Sequence, residues 1–218
     1  VVPAALAAAL KLGTRLVALS HVGNETGVVH DVAALAALCE RRGVQCFVDG
    51  TQAMGHVPVD LESIPCEFYT FSAHKFGGPR GVGGVLLRSR ECVPLLGGGS
   101  QEWGLRPGTE NLPGLAGAVA ALEKSLAMLP VESARLRKLG HDLMQELRKI
   151  SADVVINGDP GNGLPGFVSA SFPGYNGSKL VADLAMRGFA VATGSACHAD
   201  QVEPSRAIMA MGRPPEVA

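Results

Sequence analysis

The feature that most constrains the fold is a set of short β-favouring runs that alternate with a helix in the first part of the chain. Four runs are predicted to be strands: Arg15–Ser20, Val44–Val48, Phe68–Ser72 and Val82–Leu87. Between the first two, apolar residues at helical spacing predict a helix that Asp31 caps, that runs to about Arg42 and that Gly43 stops. Strands joined through helices favour an α/β sheet with parallel pairs.

Polar residues follow the predicted strands where the chain leaves the sheet. The first strand leads into His21–Gly27, the second into Asp49–Gln52 and the third into Ser72–Lys75. In open α/β sheets, ligands bind outside the carboxyl ends of the strands. The sequence therefore predicts a small-molecule site that includes the following residues: Asn24, Asp49, Gln52, His74 and Lys75.

Lys75 lies where a predicted strand gives way to the glycine-rich loop of residues 77–84. A backbone of glycines approaches a ligand closely, and a lysine amine that is partly desolvated has a lowered pKa and forms a Schiff base with a carbonyl. The same pattern is also typical of a solvated loop lysine. The segment lacks the Lys-Ser/Thr ending of a phosphate-binding P-loop.

An aldehyde cofactor on Lys75 would need further groups around its ring and phosphate. A pyridine ring is a strong electron sink only when an acid such as Asp49 keeps its nitrogen protonated. Gln52 is a candidate donor to the phenolic oxygen, and Ser72 and Thr109 are candidate phosphate ligands. Each of these residues alone is also an ordinary turn or cap residue.

His74, beside the lysine, fits stacking on a ring, proton relay or capping of a turn, and the sequence does not choose among these roles.

Cys197 lies among small and polar residues in the segment Ala192–Asp200, with His198 adjacent. A structural cysteine normally lies in an apolar run, as Cys46 does. A thiol in a segment of Gly, Ser and Ala has the exposure that a nucleophile needs, although a surface cysteine without a role fits the same pattern.

Composition limits the remaining classes of function. The net charge is −1 with both signs interspersed, which predicts neither a nucleic-acid partner nor a membrane-surface patch. The apolar opening Val1–Leu10 is too short to span a bilayer and does not resemble a signal peptide. Five cysteines without a C-x-x-C pair predict reduced thiols in a cytoplasmic compartment and no metal site.

The second half of the chain predicts a smaller α+β domain. After a glycine-rich loop at Pro94–Asn111, the predicted elements are helices at about 113–128 and 131–150, strands near Val154–Asn157 and Phe167–Phe172, a helix at Ser178–Arg187, a strand at Ala190–Ala192 and a last helix from Pro204 to Met211. The predicted domains are residues 1–112 and 113–218. Since the chain has no initiator methionine and no closing element, we interpret it as a piece of a longer protein.

Six motifs occur in a fixed order from about residue 15 to the end: HVGNETG, VDGTQAMGHVPVDL, SAHKFGGPRGVGG, GGGSQEWGLRPGTEN, LPGFVSASFPG, and GSAC followed by EPS. Together they resemble those of the cysteine desulfurases, which are fold-type I pyridoxal 5'-phosphate (PLP) enzymes of the class V aminotransferase group. The resemblance implies that residues 1–112 are the latter part of the PLP-binding large domain. Residues 113–218 would be connecting helices and most of the small domain.

The resemblance also implies roles for individual residues. Lys75 would form the Schiff base with PLP, Asp49 would pair with the pyridine nitrogen, and Gln52 would bond the phenolic oxygen. Ser72 and His74 would contact the phosphate. Asn24 would lie near the substrate. Thr109 would contact the phosphate of the neighbouring subunit in a homodimer, and Cys197 would be the residue that receives sulfur.

The implied reaction converts L-cysteine to L-alanine and leaves a persulfide on Cys197. In this family the persulfide passes to an acceptor protein, such as an iron–sulfur scaffold or a tRNA-thiolation protein. The family's early phosphate-binding threonine and ring-stacking histidine are missing from this chain, and so is the late arginine that grips the substrate carboxylate. We therefore expect residues 1–218 alone to bind cofactor poorly and to be inactive.

Three alternatives remain open at this point. His198 and the RPGTEN run also resemble the selenocysteine lyases, whereas Glu203-Pro-Ser205 favours the desulfurases. An inactive fragment or non-catalytic docking subunit is the second alternative, against which the joint presence of Lys75, Asp49 and Cys197 argues. A plain aminotransferase, the third, would not need Cys197.

Overall fold

The computed structural model describes residues 1–159, 161–194 and 204–218. The chain divides into two compact units, the first formed by residues 1–22 and 30–130 and the second by residues 23–29 and 131–218. The break between the units in the long helix lies later than the boundary expected from the sequence at residue 112. The assignment of these parts to a large and a small domain stays a prediction.

A four-stranded sheet organises the first unit. Its strands are β1 (Leu16–Ser20), β2 (Gln45–Asp49), β3 (Phe68–Ser72) and β4 (Gly83–Leu87), in the order β1-β2-β3-β4. The first three are parallel, and β4 runs antiparallel to β3. The connection of residues 73–82 is shorter than the roughly twelve residues that a parallel crossover needs, so β4 must return antiparallel. The predicted α/β class with parallel pairs is confirmed.

Helix α1 (Pro3–Ala9) and helix α2 (Val32–Arg41) belong to this unit. Asp31 begins α2, since its Oδ1 accepts the N–H of Ala34 at 2.9 Å. The apolar stripe of α2 is buried and joins Cys46 and Val48 of β2 in one core: Val32, Leu35, Ala36, Leu38 and Cys39. The predicted helix, its cap and its buried face are confirmed.

Helix α3 (Leu112–Ile150) is one continuous helix of 39 residues. The prediction of two helices separated near residue 130 was wrong, because Pro130 lies inside the helix. A proline removes one backbone hydrogen bond of a helix. The flanking residues are mostly strong helix formers such as Ala, Leu, Glu, Lys and Arg, and the helix continues through the lost bond.

By length and composition alone, α3 could cross a membrane, with a mean hydropathy of 1.3 over its most apolar 18 residues. A single helix of this kind is weak support for a membrane span, because core helices of water-soluble proteins meet the same criteria.

The second unit contains an antiparallel pair of three-residue strands, β5 (Val155–Asn157) and β6 (Ser169–Ser171). Helix α4 (Gly177–Ala185) begins at the side-chain cap of Asn176, and helix α5 (Arg206–Ala210) at that of Ser205.

Two predictions for this part were wrong. Residues 190–192 form no strand in the described part of the chain, because the sheet of this unit contains only β5 and β6. Pro204 precedes the cap of α5 and does not lie in its first turn, because the Ser205 hydroxyl accepts the N–H of Ile208 and the helix begins at Arg206.

Candidate active site

The candidate site lies at the carboxyl ends of the parallel strands in the first unit. In the register of the sheet, Ser20 pairs with Asp49 and Asp49 pairs with Thr70, so the ends of β1, β2 and β3 lie at one edge. Asp49 is the last residue of β2, and Ser72 is the last residue of β3. Both side chains are half-buried. The sheet thus brings the two predicted residues to the same edge.

The Asp49 carboxylate is held by the turn that follows β2. Its Oδ1 accepts the N–H of Thr51 at 2.9 Å, and its main-chain carbonyl accepts the N–H of His21 at 2.8 Å. The carbonyl of Gly50 accepts the N–H groups of two residues further along, which tightens the turn. Half-buried Gln52 lies within this turn, three residues after Asp49.

His74 and Lys75 lie on a short 3₁₀ turn, Ala73–Phe76, directly after β3. Ala73 and Phe76 are buried, whereas His74 and Lys75 are exposed. Gly77 ends the turn with φ of 88°, a conformation that glycine adopts without strain. The two buried residues anchor the turn and leave the imidazole and the amine at the surface of this unit. The partial desolvation of Lys75 that the sequence argument invoked is not found in the described structure.

His56 contributes to this site and was not singled out from the sequence. Its Nε2–H donates to the main-chain carbonyl of Lys75 at 2.7 Å. The hydroxyl of Ser125 in α3 donates to the next carbonyl, that of Phe76, at 3.1 Å. Both bonds hold the backbone of the lysine turn. The only signal in the sequence was the position of His56 inside the motif VDGTQAMGHVPVDL.

A buried pair of polar rings lies beneath the site. His21 Nδ1 is 2.9 Å from the hydroxyl of Tyr69, and both residues are buried. Burial lowers the pKa of His21, with repulsion from His30 acting in the same direction and attraction to Asp31 opposing it. Burial also raises the pKa of Tyr69. Both rings are therefore uncharged near neutral pH.

Asn24 and Thr109 belong neither to these strand ends nor to the two turns described above. Asn24 is exposed and belongs to the second unit. Thr109 is exposed in the segment between a 3₁₀ turn at Gln101–Gly104 and α3. Cys197, with His198 and Glu203, lies outside the described residues.

Three cysteines of the first unit are poor nucleophiles. Cys39, Cys46 and Cys66 are buried, and burial raises the pKa of each thiol, to about 12 for Cys46. Because the thiolate is the reactive form, these thiols are inert near neutral pH. The described ranges contain no cluster of three or more His, Cys, Asp or Glu that could hold a metal ion.

The family of this chain follows from comparison with known proteins. Residues 2–213 match the family described as Aminotransferase class-V. The chain belongs to the class V aminotransferases. This family, which includes the cysteine desulfurases, consists of PLP-dependent enzymes.

Class V relatives and solved structures extend the similarity along the chain. The cysteine desulfurase IscS of Dictyoglomus turgidum is 35% identical over 217 residues, which are 99% of this chain and 55% of that enzyme. A solved NifS-like protein superposes with a TM-score of 0.88 at 31% identity, over 100% of this chain and 57% of the other. A structure of SspA in complex with cysteine has a TM-score of 0.75 at 25% identity, covering 100% and 60%.

This class V chain therefore spans between about half and two thirds of the length of these relatives. The fold is that of the fold-type I desulfurase structures, as the resemblance predicted.

The donor set of the site fits PLP. An amine is needed for the aldehyde, a carboxylate for the pyridine nitrogen, and neutral donors for the phenolic oxygen and the phosphate. Lys75, Asp49, Gln52 and Ser72 supply these groups along one sheet edge. A Cβ atom added at Gly77 would meet nothing within 4 Å, so the backbone that ends the lysine turn is open to its surroundings.

Proposed function

We propose that the protein containing this chain is a PLP-dependent cysteine desulfurase that converts L-cysteine to L-alanine. The observation that carries the proposal is the sheet register that puts Asp49 and the Ser72–Lys75 segment at one edge. The similarity to cysteine desulfurase IscS over 99% of the chain supports this activity over a plain aminotransferase. It equally disfavours a non-catalytic docking subunit.

In the proposed reaction, Lys75 Nζ would hold the PLP aldehyde and would accept the proton from the α-carbon of the substrate. The Asp49 carboxylate would accept a hydrogen bond from the protonated pyridine nitrogen, and Gln52 would donate to the phenolic oxygen. Ser72 and His74 bind the phosphate. When bound, PLP supplies the electron sink for the substrate α-carbon. His56 acts only through the backbone, where it holds the turn that presents the amine.

Sulfur transfer is assigned to Cys197. Its thiolate attacks the sulfur of the substrate, so that an S–S bond forms and the C–S bond of the substrate breaks. The electron pair of the broken C–S bond stays with the β-carbon, which takes up a proton, and Lys75 returns a proton to the α-carbon. The three-carbon product leaves as alanine, and the sulfur stays on Cys197 as a persulfide. The inert character of Cys39, Cys46 and Cys66 supports a carrier elsewhere in the chain.

We further propose a homodimer in the cytoplasm that passes sulfur to an acceptor protein, such as an iron–sulfur scaffold or a tRNA-thiolation protein. Thr109, on an exposed segment, would reach the phosphate of the neighbouring subunit. Free thiols at Cys39, Cys46, Cys66 and Cys92 are in keeping with a reducing compartment. Asn24 would lie near the substrate.

The test compares four forms of the full-length protein loaded with PLP: wild type, Lys75→Ala, Cys197→Ala and Cys92→Ala. Alanine and sulfide release from L-cysteine is measured with a thiol reductant present to free sulfide from the persulfide, in parallel with alanine and selenide release from L-selenocysteine. Cys92, a partly exposed cysteine, is the matched control for Cys197. We expect activity with cysteine in wild type and Cys92→Ala and background release in the other two. A Schiff-base absorbance band should be absent only from Lys75→Ala.

Other outcomes would contradict parts of the proposal. Turnover of selenocysteine alone would identify a selenocysteine lyase. Full activity of Cys197→Ala with cysteine would remove the sulfur-carrier role, and an absent absorbance band in wild type would remove the enzyme assignment. The oligomeric state is measured separately by light scattering.

A further inference from the structure

The buried pair of His21 and Tyr69 has no role in the reaction described above, yet it contacts the turn that carries Asp49. Tyr69 lies in β3 with 1% of its surface exposed, and His21 follows β1 with 7% exposed. The 2.9 Å hydrogen bond between their side chains is buried. The rings meet edge to face, with an interplanar angle of 86°. A buried polar pair of this kind is costly to leave unpaired and holds both rings in fixed orientations.

The Tyr69 ring packs against the turn that follows Asp49. A Cβ atom added at Gly50 would overlap Cε1 and the hydroxyl oxygen of Tyr69. The hydroxyl end of the ring therefore touches the Gly50 backbone, and only glycine fits this close approach. Gly50 directly follows Asp49. Contact with the Tyr69 ring therefore fixes the position of the peptide between Asp49 and Gly50.

His21 holds the same peptide from the neighbouring strand. Its N–H donates to the carbonyl of Asp49 at 2.8 Å, and its own carbonyl accepts the N–H of His30 at 2.8 Å. The contacts close a ring of interactions that runs from Asp49 to Gly50, through the side chains of Tyr69 and His21, and back to the Asp49 carbonyl. A shift of either side chain would move the peptide that carries the carboxylate.

We propose that His21 and Tyr69 are positioning residues for the Asp49 carboxylate. The inference rests on the proposed function, since it assigns the pair to the group that would hold the pyridine nitrogen. Because both rings are uncharged near neutral pH, they hold the turn without placing a second charge next to the Asp49 carboxylate. The carboxylate itself keeps the bond from Thr51 N–H and remains available through its other oxygen.

The test is a double-mutant cycle in the full-length protein, built on Tyr69→Phe and Asp49→Asn. Tyr69→Phe keeps the ring beneath Gly50 and removes the hydrogen bond to His21. The apo protein is titrated with PLP, and the dissociation constant and the pH midpoint of the absorbance band are measured. We expect Tyr69→Phe to weaken PLP binding about fivefold, the equivalent of one net hydrogen bond, and to shift the midpoint. In the Asp49→Asn background, the same change should have an effect of less than about twofold.

Matched controls separate positioning from general stability. Tyr175, the other tyrosine, is 73% exposed, and Tyr175→Phe should leave both measurements unchanged. His21→Asn keeps a hydrogen-bonding atom near the position of Nδ1 and should bind within about twofold of wild type, whereas His21→Val should lose about fivefold. The pair of His21 variants provides the answer if Tyr69→Phe fails to fold.

Equal losses of affinity in both Asp49 backgrounds would overturn the proposal, since the pair would then not act through the carboxylate. A Tyr69→Phe variant with a lower Tm but an unchanged dissociation constant and midpoint would also overturn it and reduce the pair to a structural contact. In both cases wild-type PLP binding leaves the proposed function intact. Wild type that binds no PLP would overturn the proposed function and the positioning role together.

Discussion

The two units of the chain differ in the interactions that stabilise each of them internally. In the first, apolar residues of α2, β2 and β3 form a single core, and Leu35, Cys46, Val48 and Tyr69 are all at or below 1% exposure. In the described residues of the second unit, Met144 is the one buried apolar side chain. Its strands have three residues each, and neither α4 nor α5 contains a buried residue.

Polar contacts take a larger share in the second unit. Asn157 is buried and donates to the Ser171 hydroxyl at 2.9 Å, and Ser205 donates to Glu25 at 2.5 Å while it caps α5. The comparison shows which interactions position the residues of each unit. In the first unit, a packed apolar core supports the hydrogen bonds that position Asp49 and the Lys75 turn. In the described part of the second unit, individual hydrogen bonds act with little buried apolar packing around them.

The largest expected effect is that of a cavity in the first core. Leu35→Ala should lower the free energy of unfolding by about 2–5 kcal/mol, because Leu35 is 1% exposed and its removed atoms leave a void. Leu139→Ala in the second unit, where Leu139 is 52% exposed, should change it by less than about 0.5 kcal/mol. Urea unfolding of the full-length protein measures both, and similar losses would break the comparison.

A second effect concerns the close contact under the site. Gly50→Ala should lower the free energy of unfolding by about 1–3 kcal/mol, because its Cβ would overlap the Tyr69 ring. Gly97→Ala is the control, since an added Cβ there meets nothing within 4 Å. Thermal unfolding distinguishes the two variants. A Gly50→Ala protein as stable as wild type would show that the turn is not packed as described.

A smaller effect is expected from a polar contact of the second unit. Ser205→Ala removes the cap of α5 and the bond to Glu25, and should destabilise this unit by about 1 kcal/mol. Ser205→Thr keeps a hydroxyl and should lose less. Amide hydrogen exchange of residues 206–210 reports the change. Faster exchange in the core of the first unit would contradict the separation of the two units.

The smallest effect is a pH dependence that belongs to the first unit. The pKa of His21 lies below its ordinary value of 6.5 because the ring is buried, so the unfolded chain binds a proton more readily than the folded protein does. Stability from this group is complete above pH 6.5 and is lost as the pH falls towards the lowered pKa. His30, whose pKa is also lowered chiefly by burial, acts in the same direction.

Urea unfolding between about pH 7.5 and pH 5 measures this dependence. His21→Asn, which cannot titrate, should flatten the curve relative to wild type. A curve with the same slope in the variant would assign the pH dependence to His30 or to other groups.

Local patterns predicted most of the first unit. The spacing of apolar residues after Asp31 gave α2 with its cap, and β-favouring runs gave strands within one residue of their observed bounds for Phe68–Ser72 and Val82–Leu87. The patterns failed at two places. Two helices were predicted at about 113–128 and 131–150, but the helix formers on both sides of Pro130 continue α3 through it. Ala190–Ala192 has strand-like composition and forms no strand.

The sequence by itself determined the chemistry of the candidate site. Lys75 after a strand and before glycines, Asp49 at a strand end, and six motifs in order were sufficient to predict the class V family, which the comparison confirms. These are local signals, because residue type and spacing along the chain are enough to read them.

Only the tertiary structure decided which residues support that chemistry. His56 on the Lys75 carbonyl and the His21–Tyr69 pair beneath Asp49 join residues that are 19 and 48 positions apart. Such pairs depend on the register of neighbouring strands and on which side chain faces the interior. The spacing of residues in one sequence does not specify either of these, because the packing of separate segments fixes both.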